Sequence, residues 1–190
     1  MKLFFVTSNE HKVEEVAHVL ASHGIEVEQV DTELAEPDVG SQERVALYKA
    51  EQAYALVKKP VIVEDTGIYF KAYHDFPGIF AKRVYLGIGF KGLLKLLQGE
   101  DRRALFKVVI VLQWGKRKNQ RKLFVGTLEG SMGSKLKKPH SKRLAYEKLF
   151  IPEGYSKTIV EMPLAEKNKF SHRAVAAKKL ARWLKRHKLG

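Results

Sequence analysis

Three short polar segments hold side chains able to act on an anion. Thr7-Ser8-Asn9-Glu10-His11-Lys12 gathers hydroxyl, amide and ammonium donors between an apolar run and an amphipathic stretch. There, free backbone N–H groups and a helix dipole favour phosphate. The same six residues also read as an N-cap at Ser8 or Asn9 followed by a surface lysine, and the glycines of a Walker loop are missing. Glu64-Asp65-Thr66-Gly67 closes an apolar run with two adjacent carboxylates. Crowding them is costly unless a cation or proton separates them. Mg²⁺ would do so through carboxylate and phosphate oxygens, making Glu64 and Asp65 candidate ligands; alternatively Asp65 caps a turn that Gly67 closes. Glu166-Lys167-Asn168 and Ser171-His172-Arg173 form a third polar island, more than a cap requires. Taken singly, Ser171 reads as an N-cap, His172 as a satisfied histidine and Arg173 as a first-turn charge.

These segments need a scaffold, and the hydrophobic periods supply one. Residues 2 to 7 read as a strand, 10 to 22 as a helix with Val13, Val16, Ala17 and Leu20 on one face, and Ile25 to Val30 as a second strand. A second helix is expected from Gln42 to Val57 and a short strand from Val61 to Val63, stopping at Glu64. This βαβαβ order predicts an α/β protein with ligands at the carboxyl ends of its strands. Ala104 to Trp114 and Lys122 to Leu128 read as a hairpin joined by Gly115 to Arg121, and the last helix as Ser171 to Lys188. Lys135 to Lys148 holds seven Lys, Arg or His residues and one acid, and reads as a loop followed by a short ordered segment. No linker separates the parts, so residues 1 to 190 are expected to form one continuous unit.

Composition narrows the chemistry. A chain of 190 residues with 45% apolar content buries a real core. No apolar run reaches the length of a signal or membrane segment, so a soluble cytoplasmic protein is expected. The absence of cysteine excludes disulfides, thiolate metal sites and a cysteine nucleophile. Lys plus Arg exceed Asp plus Glu by 35 to 21, giving a net charge of +14. That welcomes any polyanion, from a nucleotide to a nucleic acid, but equally describes a solvated basic surface.

Taken together and in order, the islands resemble the inosine triphosphatase family. Its T-x-N-x-x-K, D/E-D-S/T-G, P-G-x-x and S-H-R motifs match Thr7 to Lys12, Glu64 to Gly67, Pro77-Gly78-Ile79-Phe80 and Ser171-His172-Arg173. Phe150-Ile151-Pro152-Glu153-Gly154, Thr158, Glu161-Met162 and Glu166-Lys167-Asn168 extend the match over nearly the whole chain. The resemblance implies an elongated two-lobed α/β fold with a central mixed sheet and a nucleotide cleft between the lobes. It implies Mg²⁺-dependent hydrolysis of non-standard purine nucleoside triphosphates (ITP, XTP, dITP) to monophosphate and pyrophosphate. Carried over by position, Thr7, Asn9, Lys12, Thr66 and Lys167 would hold the triphosphate. Asp65 would be catalytic, ligating metal or orienting water, with Glu43 a further ligand on a looser match. Leu144, Tyr146, Glu147, His172 and Arg173 would face the base. A homodimer is also implied.

One segment departs from the pattern. Where the family has G-F-G-Y-D-P-I-F, this chain reads Arg143-Leu144-Ala145-Tyr146-Glu147-Lys148-Leu149-Phe150. The stacking Phe has become Leu144, the second Gly Ala145, the base-reading Asp Glu147 and the Pro Lys148. Ala81 stands where a Ser is common. The phosphate machinery is kept and the base pocket rebuilt, which leaves two readings open. One is a pyrophosphatase with altered base choice. The other is a catalytically weak paralogue that binds nucleotides or nucleic acid through its basic charge.

Overall fold

The computed structural model describes all residues except Pro139, Lys142, Arg143, Lys188 and Gly190. The chain begins β1 (Lys2–Val6), α1 (Glu10–Ala21), β2 (Glu26–Val30), α2 (Gln42–Val57) and β3 (Val61–Phe70). It continues with β4 (Pro77–Gly78), α3 (Ala81–Leu96), β5 (Arg103–Gln113), β6 (Arg121–Met132), β7 (Phe150–Pro152), α4 (Leu164–Phe170) and α5 (His172–Arg186). The sheet runs β2-β1-β3-β5-β6-β7, with β4 on β3. β1 is parallel to both β2 and β3, whereas β4 on β3 and β7 on β6 are antiparallel. The fold is therefore α/β with a mixed central sheet, as the resemblance implies.

The residues gather into two compact units. The first comprises Met1–Asp65, Val108–Gly126 and Ser171–Gly190; the second comprises Thr66–Lys107 and Thr127–Phe170. In the first unit, successive strand side chains point to opposite faces. Leu3, Phe5, Ile62, Val108, Ile110 and Leu112 pack with Val16 and Leu20 of α1 and Leu180 of α5. Val61, Val63, Val109 and Val111 pack with Ala46, Ala50 and Ala53 of α2. Both faces of these strands are covered by helices, which is why they read as continuous apolar runs. In the second unit Ile68, Phe70, Leu93, Leu97, Phe106 and Phe150 form the core.

Two expectations about elements change. β3 does not stop at Glu64 but continues to Phe70, with Glu64 and Asp65 buried inside it. Gly67 closes no turn: it lies in β3, where a β-carbon would fall 2.8 Å from the Gly78 carbonyl oxygen, so its bareness admits β4. The last helix ends at Arg186, and Lys188 and Arg143 lie outside the described residues. No helix among the described residues is long and apolar enough to cross a membrane.

Candidate active site

The first unit concentrates the charged machinery at the ends of β1 and β3 and the starts of α1, α2 and α5. Phe5 is level with Ile62 in the parallel pair, so Thr7, just beyond β1, comes level with Glu64. Asn9 caps α1, its side chain accepting from the Lys12 backbone N–H at 3.3 Å, and Thr7 Oγ1 accepts from the Asn9 N–H at 3.2 Å. The residue expected to bind phosphate is thus also the helix cap: the cap uses the Asn9 side-chain oxygen, while the amide's own donors are a separate resource. The turn also fixes where Lys12 begins. Its Nζ reaches Glu64 Oε1 at 2.9 Å.

Glu64 is the hub of an alternating network. Arg173 Nε and Nη2 donate to its two carboxylate oxygens at 2.7 and 3.2 Å, and Arg173 Nη1 donates to Glu15 Oε2 at 2.7 Å. Ser171 starts α5 as a true N-cap, accepting from the Ala174 N–H at 3.1 Å. This places Arg173 in the first turn, but fully buried and not on the surface. Gly126 makes room for that helix start, since a β-carbon there would fall 2.0 Å from the His172 carbonyl oxygen. Burial alone would raise the Glu64 carboxyl; the charges and hydrogen bonds of Arg173 and Lys12 hold it well below the usual carboxylate range.

Asp65 has the opposite environment. Burial pushes its carboxyl up, aided by Glu36 and Glu64 and opposed by Lys49 and Lys12. Its Oδ1 lies 3.6 Å from Lys49 Nζ, and the same ammonium donates to Glu36 Oε1 at 2.7 Å. Burial lowers and the two carboxylates raise the Lys49 pKa, with a net rise. Asp65 Oδ2 is buried without a hydrogen-bond partner. Gln42, the first residue of α2, anchors the strand by donating to the Asp65 carbonyl oxygen at 2.9 Å.

An unpartnered buried carboxylate oxygen, beside a second carboxylate held on one ammonium, is a donor set suited to a divalent cation. Mg²⁺ takes one or two carboxylates and completes its shell with water and phosphate. Among the described residues no three His, Cys, Asp or Glu side chains cluster to hold a metal by themselves. Of the three carboxylates expected to bind it, Asp65 has the open oxygen, whereas both oxygens of Glu64 are bonded to Arg173. Glu43 is a half-buried residue in the first turn of α2, where an acid suits the helix dipole. Glu36 shares the Lys49 ammonium with Asp65.

The second unit holds the other expected residues. Thr66 is half-buried in β3. Lys167 and Glu147 form a fully buried pair, Nζ to Oε1 2.7 Å, and Glu147 Oε2 is buried without a hydrogen-bond partner. Tyr146 is buried in the core, its hydroxyl donating to the Ala81 carbonyl at 2.9 Å and its ring 6.2 Å from that of Phe70. Leu144, half-buried, precedes the 3₁₀ turn Ala145–Lys148 that carries both Tyr146 and Glu147. His172, by contrast, is fully buried in the first unit. Three residues of the first unit were missed from the sequence: Glu15, Glu36 and Lys49. The signal for Lys49 and Glu15 was a charge at a helix position otherwise reserved for the buried face, between Ala46 and Ala50 and beside Val16.

The chain is similar to known proteins over nearly its whole length. The model of the Ham1 family matches residues 3–183. A dITP/XTP pyrophosphatase of Hyperthermus butylicus is 44% identical over 187 residues, covering 97% of this chain and 95% of its own. One of Pyrococcus horikoshii is 39% identical over 186 residues, covering 97% of each. Among solved structures, a HAM1 protein from Coxiella burnetii shares the fold with a TM-score of 0.82 at 22% identity, over 98% of this chain and 100% of that one.

Proposed function

The chain belongs to the Ham1 family, and from that premise we propose that it hydrolyses non-standard purine nucleoside triphosphates such as dITP, XTP and ITP to the monophosphate and pyrophosphate. One observation carries the reading beyond the relatives' names. The first unit sets Lys49 3.6 Å from Asp65 and Lys12 2.9 Å from the adjacent Glu64, and Asp65 Oδ2 has no hydrogen-bond partner. Phosphoryl chemistry asks for little else, because it is driven by positioning and by cations aimed at developing charge.

In this reading Thr7, Asn9 and Lys12 bind phosphate oxygens, with Lys49 a further cation; in the second unit the family resemblance assigns Thr66 and Lys167 to phosphate as well. Glu64 and Glu15 hold Arg173 in place, and Glu64 also holds Lys12. Asp65, with Glu36, would hold Mg²⁺, which when bound neutralises phosphate charge and polarises the α-phosphorus. Asp65 orients a water molecule whose oxygen forms a bond to the α-phosphorus while the bond to the β-phosphate bridging oxygen breaks. Pyrophosphate leaves with that electron pair, and the water proton passes to Asp65 or to solvent. Glu147, whose Oε2 is buried without a hydrogen-bond partner, suits the N–H at the edge of a 6-oxopurine.

The test is pyrophosphate release from dITP, XTP, ITP and the four common triphosphates, with Mg²⁺ and with EDTA. Release from the first three that depends on Mg²⁺ is expected; release from none removes the reading. A cytoplasmic homodimer completes the proposal, and a monomer by light scattering across micromolar concentrations removes the dimer.

A further inference from the structure

The excess positive charge is not spread evenly. From Trp114 to Lys122 the chain carries five Lys or Arg and no acid, and no Asp or Glu follows Glu166. Both stretches belong to the first unit and meet. The rings of Trp114 and Trp183 lie 5.3 Å apart, Trp183 also meets Phe124 edge-on at 6.1 Å, and Lys179 Nζ donates to the Val125 carbonyl at 2.7 Å. His187 lies flat on Trp183, ring centroids 4.4 Å apart and planes 9° from parallel, held by a 2.9 Å contact between Nδ1 and the Trp183 carbonyl. His187 is exposed, so the indole stack reaches the surface as an imidazole face. Around it Lys116, Arg117 and Lys118 on the turn and Arg182, Lys185 and Arg186 on α5 are all exposed. Trp183 stands ten residues along α5 from Arg173, about 15 Å at the helical rise, so this surface is separate from the phosphate-binding residues.

We infer that this basic aromatic surface binds a single strand of nucleic acid, with phosphates on the turn and helix cations and a base stacked on the His187–Trp183 ladder. Cations that track a backbone beside a ring that accepts any base are the two components of strand binding without sequence choice. The six exposed cations complement a polyanion. The stacked rings distinguish a strand, which offers unpaired base faces, from a duplex or a lipid headgroup, which offers none. The inference stands independently of the pyrophosphatase reading.

Trp114 and Trp183 are the two tryptophans of the chain, so intrinsic fluorescence reports on this surface alone. The full-length protein is titrated with a short single-stranded RNA and with the same sequence as duplex, in EDTA. Quenching by the single strand is expected. With four phosphates neutralised at a slope of about −0.7 each, affinity should fall about 50-fold between about 50 and about 200 mM salt. Lys116→Glu with Lys118→Glu should reduce that salt sensitivity to about 7-fold and weaken binding at least about tenfold. His187→Ala should weaken binding about fivefold, the low end of losing one stacking face, while pyrophosphate release is unchanged in both variants. Several results would overturn the inference: no binding at low salt, equal affinity in the Lys116/Lys118 variant, displacement of the strand by excess ITP, equal quenching by duplex or heparin, or preference for anionic vesicles.

Discussion

Arg173 and Glu64 form a two-point pair, Nε to Oε2 at 2.7 Å and Nη2 to Oε1 at 3.2 Å, with both side chains fully buried. A buried pair of this kind is costly to split, because the remaining charge is left in a low-dielectric interior; the loss is typically about 3–5 kcal/mol. Arg173→Met is therefore expected to lower the denaturation midpoint sharply, and Glu64→Gln by a similar amount. The double variant should lose less than the sum of the singles, since neither charge is then stranded. Chemical denaturation of the three variants measures this, and strict additivity would refute the coupling.

The same pair makes an acid limb. Arg173 and Lys12 hold the folded-state pKa of Glu64 below 4.5 against the cost of burial. Its contribution to stability is thus fully present above the unfolded pKa and is lost as pH falls through the folded value. Thermal melts from neutral to strongly acidic pH should show a fall below about pH 4.5 that is reduced in Glu64→Gln. An identical limb in the variant would mean that other carboxylates carry it.

Asp65 runs the other way. Its folded pKa lies above the ordinary aspartate range, chiefly through burial, so ionising it costs the folded state stability as pH rises through that range. Asp65→Asn should leave the melting temperature equal or higher at neutral pH. It should cut Mg²⁺-dependent pyrophosphate release at least about 10²-fold. Mg²⁺ should raise the melting temperature of the parent and do so much less in Asp65→Asn. Turnover within a factor of a few of the parent, or an equal Mg²⁺ shift, would take Asp65 out of the site.

Much of this site was legible because its backbone is locally specified. Asn9 and Ser171 each announce a helix start, and both cap one; the period-2 and period-3.6 runs gave β1, α1, β2 and α2 nearly to the residue. What escaped did so for physical reasons. Two acids at the end of Val61-Ile62-Val63 look like a strand terminus, and only charge partners from α1, α2 and α5 make them tolerable inside β3. α3 contains Gly87, Gly89 and Gly92, Gly89 with a non-helical φ of 59°, and no side chain caps it. Glu36 lies in the irregular stretch between β2 and α2, where no period assigns a side chain to any face.

Glu36 and Glu43 give the next comparison. Glu36 shares the Lys49 ammonium with Asp65, while Glu43 occupies the first turn of α2. Glu36→Gln is expected to weaken Mg²⁺ activation by about tenfold or more, as loss of one metal-oriented group does. Glu43→Gln is expected to weaken it by less. Mg²⁺ titrations of pyrophosphate release decide between them, and a larger defect in Glu43→Gln would favour Glu43 as the ligand.

Gly126 tests how tightly α5 is seated. A β-carbon there meets the His172 carbonyl oxygen at 2.0 Å and the Ala176 nitrogen at 2.8 Å, both backbone atoms that cannot rotate away. Gly126→Ala should displace the first turn of α5 and with it Arg173, lowering both stability and turnover. Gly87→Ala, in open space within α3, should instead be neutral or stabilising by up to about 1 kcal/mol. Equal melting temperatures for the two variants would show that α5 shifts freely.

Base selection is the last prediction, and it turns on which ring is available to stack. Leu144 stands where the family pattern has Phe, and Tyr146 would be the natural substitute. Tyr146 is buried in the core of the second unit, its hydroxyl bonded to the Ala81 carbonyl and its ring packed near Phe70 and Tyr85. Swinging it out to stack would break that bond and open the core, so the lost aromatic face is not replaced from this turn. Stacking on an aromatic face is worth roughly 1–3 kcal/mol per base, a factor of about 5 to 150, less what the Leu144 methyls return. Glu147 retains a carboxylate beside Lys167 and an Oε2 without a hydrogen-bond partner, so the polar half of base reading survives. Leu144→Phe should then tighten all purine nucleotides, lowering KM about fivefold or more. Glu147→Gln should erode the preference for ITP over ATP, because it removes the charged acceptor for the N–H that adenine lacks. The kcat/KM values for ITP, ATP and GTP in the two variants separate stacking from edge reading. An unchanged KM in Leu144→Phe would mean that the base lies elsewhere.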